Sequence, residues 1–347
     1  MDLKIKFLLN PVVKRIFDNP GKTFDELVQK WNEPWRFFHT IDNHLRPMLE
    51  KIHTFPDDDD RHLLEIAAWF HDCVYDPKKS DNEVESIIYF RSQMIRRTER
   101  TDKIIKVIRS TIDYKNLRSE LEAKFAKLDT ASLSTTSVET LLQNEKLLLK
   151  EFQFVDYSVY KKRRMAFLKD IKKTPLTGLW AAPVVNAYIN AYRPKIAIYP
   201  GTFNPFHVGH LSVLREAEKL FDKVIVAIGI NPQKKRSIYS SASLGSLNSI
   251  LPYHQTEYFS TFLHEYAEKK AKDADITIIR GFRSGYDIDA ELINLAFMRD
   301  MSKDLKVVFI APQKSFDHVS SSAIRQIQSF SPSECDKYLP EVYYPES

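Results

Sequence analysis

His207 and His210 stand three residues apart in the run IYPGTFNPFHVGH (residues 198–210), after a β-rich stretch and a turn of Gly and Pro. Strand, turn and helix in that order let backbone N–H groups and the positive end of the helix face an anion, and Gly201 and Gly209 allow the chain to approach it closely. At this spacing the two imidazoles share one helix face, where both can donate to phosphate oxygens as negative charge builds up in phosphoryl or nucleotidyl transfer. Taken alone, HxGH also reads as surface histidines beside an ordinary turn.

A second constellation lies in HLLEIAAWFHDCVYDPKKSDNE (residues 62–83), where adjacent His71 and Asp72 near the end of an apolar helix precede Asp76, Asp81 and Glu83. Adjacent side chains point about 100° apart on a helix, so both reach one ion only over the helix edge, with further ligands from other helices. His39 in FFHT and Asp129 in KLDT are the candidates. A lone His-Asp pair equally forms a structural hydrogen bond. The acidic run Asp57 to Asp60 reads as a solvated turn that starts a helix rather than as a metal site.

The elements that must position these residues differ between the two halves. From Phe24 to about Lys173 apolar residues recur at three and four positions, as in Ile41, Leu45, Met48, Leu49 and Ile52, which predicts helices and no strand. From Lys195 short runs (KIAIYP, KVIVAIGI, ITII, KVVFIAP) alternate with segments of helical period, which predicts βαβ units and a parallel sheet. Pro175, Gly178, Pro183 and Pro194 put the boundary between Thr174 and Pro194, with LWAAPVV as a packed connector. The Ser-rich stretches 130–137 and 237–249 are expected to connect elements or cap helices.

A chain of 347 residues is long enough for two domains with separate cores. A net charge of +5 with scattered basic residues gives no support to nucleic-acid binding. Cys73 and Cys335 form neither a disulfide framework nor a thiolate metal site, and no stretch has the length and apolarity of a membrane span. A cytoplasmic protein is expected.

Three further segments follow the first in the order of a known family: INPQKK (230–235), IIRGFRSGYDIDAE (278–291) and HVSSSAIR (318–325). Over about Lys195 to Gln328 the chain resembles the phosphopantetheine adenylyltransferases of the HxGH nucleotidyltransferase superfamily. The resemblance implies a doubly wound, Rossmann-like α/β domain that transfers AMP from ATP, accompanied by Mg²⁺, to 4'-phosphopantetheine, giving dephospho-coenzyme A and pyrophosphate. The substrate phosphate attacks the α-phosphorus directly, so catalysis is by positioning and charge stabilisation. By the same resemblance Thr202 and His210 contact the α-phosphate region, Lys234 neutralises both reacting phosphates and Arg280 holds the substrate phosphate. Arg283 suits the β and γ phosphates and Glu291 lies near the ribose. Ser320, Ser321 and Ser322 cradle the triphosphate at a helix N-terminus, and Gly201, Phe203, His207 and Gly209 bind the nucleotide. Without the family, Arg280 and Arg283 read as surface ion-pair residues and the Ser triplet as a plain N-cap. Asn204, where the family commonly has Asp, and RSIYSSASLGSLNSILPYH after Lys235 depart from the pattern and bear on the acceptor. The segment 258–275 resembles the helix that contacts the pantetheine arm.

The N-terminal pattern of His39, His71, Asp72 and Asp129 resembles the HD-domain metal-dependent phosphohydrolases over Thr23 to Pro175. It implies an all-α domain in which those four residues bind a divalent transition metal (Mn, Co, Fe, Ni or Zn) for hydrolysis of a phosphate ester, with Glu83 or Asp76 orienting the water. Pro47 inside a predicted helix, and Asp113 or Tyr114 where relatives often have a histidine, are departures. The expectation is therefore a bifunctional enzyme: an HD-type phosphohydrolase in residues 1–180 and an adenylyltransferase in 194–347. Its partners would be ATP and a phosphorylated small molecule, in a homo-oligomer. The alternative is an adenylyltransferase for a different phosphorylated molecule, with the HD domain a silent sensor or scaffold.

Overall fold

A computed structural model of the chain describes residues 2–176, 178–230, 241–282, 285–302 and 304–345. It divides into two compact units, Met1–Glu151 with Lys162–Asn190 and Phe152–Lys161 with Ala191–Ser347. The chain thus passes between units three times rather than once, and the segment 152–161 packs with residues that follow it by more than thirty positions.

The first unit is helical. Its elements are α1 (Leu3–Leu9), α2 (Val13–Ile16), α3 (Pro20–Trp31), α4 (Arg46–Ile52), α5 (Asp59–Phe70), α6 (Asn82–Gln93), α7 (Glu99–Arg109), α8 (Glu120–Asp129) and α9 (Val138–Glu151). Helix α10 (Tyr157–Ile171) begins in the second unit and ends in the first, and α11 (Ala181–Ala191) closes the series. Polar caps set the starts: Asp58 accepts the N–H of Arg61, and Asp59 and Asp60 occupy the first turn of α5, where the helix dipole favours carboxylates. Phe7, Leu27, Trp31, Leu45, Leu63, Phe70, Phe90 and Phe125 are buried in one core, and the Trp31 indole donates to the Trp69 carbonyl. A π-helical turn, Ile41–Leu45, precedes α4, so Pro47 falls in the first turn of that helix, where its missing N–H costs little.

In the second unit a five-stranded parallel sheet has the order β3-β2-β1-β4-β5. The strands are β1 (Lys195–Gly201), β2 (Lys223–Gly229), β3 (Gln255–Phe259), β4 (Asp275–Gly281) and β5 (Val307–Ile310). Both faces are covered, which is why the strands read as nearly continuous apolar runs. Ala197, Tyr199, Val224, Val226 and Ile279 pack on one face with Leu211 and Leu214 of α12 (Val208–Glu218) and Leu247 of α13 (Ser241–Ile250). Ile198, Ala227 and Ile278 pack on the other with Tyr266 and Ala267 of α14 (Leu263–Lys270). Helices α15 (Gly285–Met301) and α16 (Ser321–Phe330) complete the unit. Strand β3 is not among the runs that predict strands and overlaps only the start of the segment 258–275, expected to be a helix; four of its five residues are only half-buried, so it lacks the apolar signature of its neighbours. Among the described residues of 237–249, Ser241 onward is helical rather than connecting. No helix among the described residues is long and apolar enough to cross a membrane.

Candidate functional site

In the helical unit four side chains converge. His44 Nε2 lies 3.1 Å from His71 Nε2 and 3.2 Å from Asp129 Oδ1, and His71 Nε2 lies 3.3 Å from Asp72 Oδ2 and 3.4 Å from Asp129 Oδ1. One ligand atom from each falls within 4.8 Å of the others. Such separations suit one cation with bonds of about 2.0–2.2 Å, for which a tetrahedral edge is about 3.4 Å. The residues present therefore fit a divalent ion with two imidazole and two carboxylate ligands.

Local structure explains the convergence. Helix α5 ends at Phe70, with His71 as its C-cap still in helical backbone conformation and Asp72 in the following turn. The π-turn carries His44, Asp129 ends α8, and His71 Nδ1 pairs with the Ala68 carbonyl, leaving Nε2 to the cluster. The Tyr114 phenol, in the loop before α8, donates to Asp129 Oδ2 at 2.7 Å, and Tyr114 adopts a left-handed φ of 54°. Burial would lower the His71 pKa, yet Asp72 and Asp129 outweigh it and hold it well above the ordinary imidazole value. Burial would raise both carboxylates, but the charge on His71 holds Asp72 and Asp129 below their ordinary range. Burial lowers His44. Glu83 is pushed up, by burial first and then by the charges of Asp72 and Asp129. Asp76 braces its turn, accepting from Lys78 N–H while its own N–H donates to Asn82.

His39, expected from sequence as a ligand, stands beside this group rather than in it. Its Nδ1 pairs with Glu151 Oε2 at 2.8 Å, and its Nε2 is 4.0 Å from Asp72 Oδ2. His44 takes the inner position. The signal for His44 was present only as a histidine five residues after His39, because the choice between them depends on the π-turn and on Glu151, 112 residues away.

In the α/β unit a cleft of about 450 Å³ opens at the carboxyl ends of β1 and β4. These neighbours are where strand order reverses, the crevice in which open parallel sheets bind ligands. Gly201, Phe203, His207, Gly209, His210, Arg280, Glu291, Ser320, Ser321 and Ser322 all line it. Thr202 is exposed between two lining residues and does not itself line the cleft. Lys234 and Arg283 lie outside the described residues.

Two helix N-termini meet there. His207 caps α12, its Nδ1 accepting the Gly209 N–H while its own N–H donates to His210 Nδ1. Ser320 caps α16 by accepting the Ala323 N–H, and the Ser321 hydroxyl donates to the Pro205 carbonyl, tying that helix to the turn after β1. Phe203, at φ 44°, packs its ring edge-on against His210. Arg280 Nε and Glu291 Oε2 are 3.3 Å apart and buried, but neither makes a hydrogen bond among the described residues. Converging helix ends and an under-bonded guanidinium suit a polyanion.

Residues 198–327 match the family model described as cytidylyltransferase-like. A phosphopantetheine adenylyltransferase of Clostridium perfringens (strain SM101 / Type A) is 31% identical over 150 residues, covering 42% of this chain and 89% of that protein. One from Neisseria meningitidis serogroup C is 36% identical over 137 residues, 38% of this chain and 78% of its own length. A third, from Alkaliphilus metalliredigens, is 28% identical over 151 residues, 43% and 94% respectively. All three matches leave more than half of this chain uncovered. A parallel sheet with its cleft at the β1–β4 reversal and this similarity agree: through its C-terminal region the chain belongs to the phosphopantetheine adenylyltransferase family.

Proposed function

We propose that the α/β unit transfers AMP from ATP to 4'-phosphopantetheine, releasing pyrophosphate and forming dephospho-coenzyme A. The observation that carries this reading is the shared cleft in which His207, His210, Arg280 and the start of α16 face one another. A phosphate oxygen of the acceptor forms a bond to the α-phosphorus of ATP as the bond from that phosphorus to the β-phosphate bridging oxygen breaks; pyrophosphate takes the electron pair. Mg²⁺ bound with ATP supplies charge neutralisation for the leaving group. His210 holds the α-phosphate region, with Thr202 assigned to it from the turn beside the cleft; Arg280 orients the acceptor phosphate, and Ser320 to Ser322 receive the triphosphate at a helix N-terminus. Glu291 stands near the ribose, with Lys234 and Arg283 assigned to the reacting and terminal phosphates. Incubation with ATP, Mg²⁺ and 4'-phosphopantetheine tests it: pyrophosphate and dephospho-coenzyme A should appear together, and their absence with this acceptor but release of pyrophosphate with another phosphorylated molecule would reassign the substrate.

For the helical unit we propose an HD-type phosphohydrolase domain, supported by the grouping of His44, His71, Asp72 and Asp129. These four would hold a divalent cation, which would supply charge to a phosphoryl oxygen and lower the pKa of a water. Glu83, whose carboxyl is pushed up beside the cluster, would accept the proton as the water attacks phosphorus and return it to the ester oxygen as the phosphorus–oxygen bond breaks. Metal-dependent release of phosphate from nucleotide or coenzyme-pathway phosphate esters is the test; inactivity across such a panel would favour a sensor or scaffold.

A further inference from the structure

We infer that a second divalent cation binds beside the four-residue cluster, held by His39 Nε2 and by Asp72 as a shared carboxylate. This rests on reading that cluster as a metal site.

The argument starts from Glu151, a fully buried carboxylate at the end of α9. Its Oε1 accepts three backbone N–H groups, from Phe37, Phe38 and His39, at 2.8–2.9 Å. Those bonds alone would close the 37–39 turn. The second oxygen nevertheless accepts the Tyr75 hydroxyl and meets His39 Nδ1, each at 2.8 Å. An ionised carboxylate only accepts, so Nδ1 carries a proton, and a cation at Nε2 would take the lone pair that the neutral ring keeps there. Carboxylate, imidazole and lone pair in that sequence are the arrangement by which proteins orient a metal-binding histidine.

The lone pair has a target. Nε2 is 4.0 Å from Asp72 Oδ2, and these two side chains are the most open of the group, at 19% and 14% exposure against 1–7% for His71, His44 and Asp129. Asp72 Oδ2 also lies 3.3 Å from His71 Nε2, so one carboxylate faces both positions. Two ions about 3.5–4 Å apart are a recurrent clamp for phosphoryl oxygens. With only two ligands from the protein, the outer position keeps sites for water and for a phosphate oxygen, and it fills after the inner one.

Mn²⁺ titration of the chelator-stripped full chain, without nucleotide, tests the proposal by bound metal and by the electron-spin coupling of neighbouring ions. Two ions per chain with a coupled spectrum are expected for the wild type. His39→Ala should keep one ion at an affinity within about threefold and lose the coupling. Glu151→Gln should weaken only the second ion, by about 10–100-fold, with folding checked by circular dichroism. One ion per chain in the wild type, unchanged in His39→Ala, would overturn the second site and leave the first standing. Loss of both ions in a folded His39→Ala protein would also overturn it, making His39 a ligand of a single site. No bound ion in the wild type would remove the metal reading itself.

Discussion

The His207 and His210 rings stack with centroids 3.6 Å apart, and the His207 N–H donates to His210 Nδ1. The pair is therefore both a helix cap and a lining of the cleft. Replacing His210 by Ala should lower kcat for adenylyl transfer by about 100-fold or more, the usual effect of removing a donor to developing charge. ATP binding, followed by calorimetry, should fall much less, because the N-terminus of α16 with Ser320 to Ser322 remains. Retained turnover would reject the role given to His210.

Gly201 leaves room for the Phe203 ring. A Cβ at position 201 would stand 2.7 Å from two ring carbons of Phe203, which itself packs on His210 and Tyr199. Gly201→Ala should cost about 1–3 kcal/mol in stability as the ring is forced aside, and it should raise KM for ATP. Denaturant unfolding and steady-state kinetics on one preparation check both effects.

Lys223 provides a pH signature confined to the α/β unit. Its amine is buried, donates to the Val155 carbonyl, and is pushed down by burial to about 7. Between pH 7 and the ordinary lysine range the folded amine is neutral while the unfolded one is protonated, so unfolding takes up a proton and stability rises with pH. Below pH 7 both forms are charged and the cost of the buried charge is fully present. Lys223→Met removes this dependence: its stability relative to wild type should fall as pH rises from 7 to 9, by at most about 1.4 kcal/mol per unit. Parallel curves for the two proteins would contradict the assignment.

Metal should stabilise the helical unit through His44. Adding Mn²⁺ or Co²⁺ raises the melting temperature if the ion binds only the folded state, and a chelator reverses it. His44→Ala and Asp129→Asn should abolish the shift. Tyr114→Phe, which deletes the 2.7 Å hydrogen bond to Asp129, should weaken the ion about 10–100-fold without removing it. A full metal-induced shift in His44→Ala would return the inner ligand position to another residue.

Much of the α/β unit was legible because its signals are local. Continuous apolar runs such as Lys223–Gly229 declare strands buried on both faces, and a Gly- and Pro-rich turn before His207 declares a strand-to-helix corner. The helical period of α5 and the cap at Asp58 were equally readable. Strand β3 escaped because it is short and half-buried, so tertiary pairing with β2 rather than its own pattern makes it a strand.

What the chain order determined alone was that one half is helical and the other a parallel α/β sheet, and most of the residues proposed to act on phosphate. Which of them share a site was decided in three dimensions. A π-turn carries His44, and His71 at the end of α5 meets both Asp72 and Asp129 of α8. Glu151, 112 residues beyond His39, holds that histidine to one side, and strand order opens the cleft between β1 and β4. Each of these depends on contacts between residues far apart in sequence, which no local periodicity encodes.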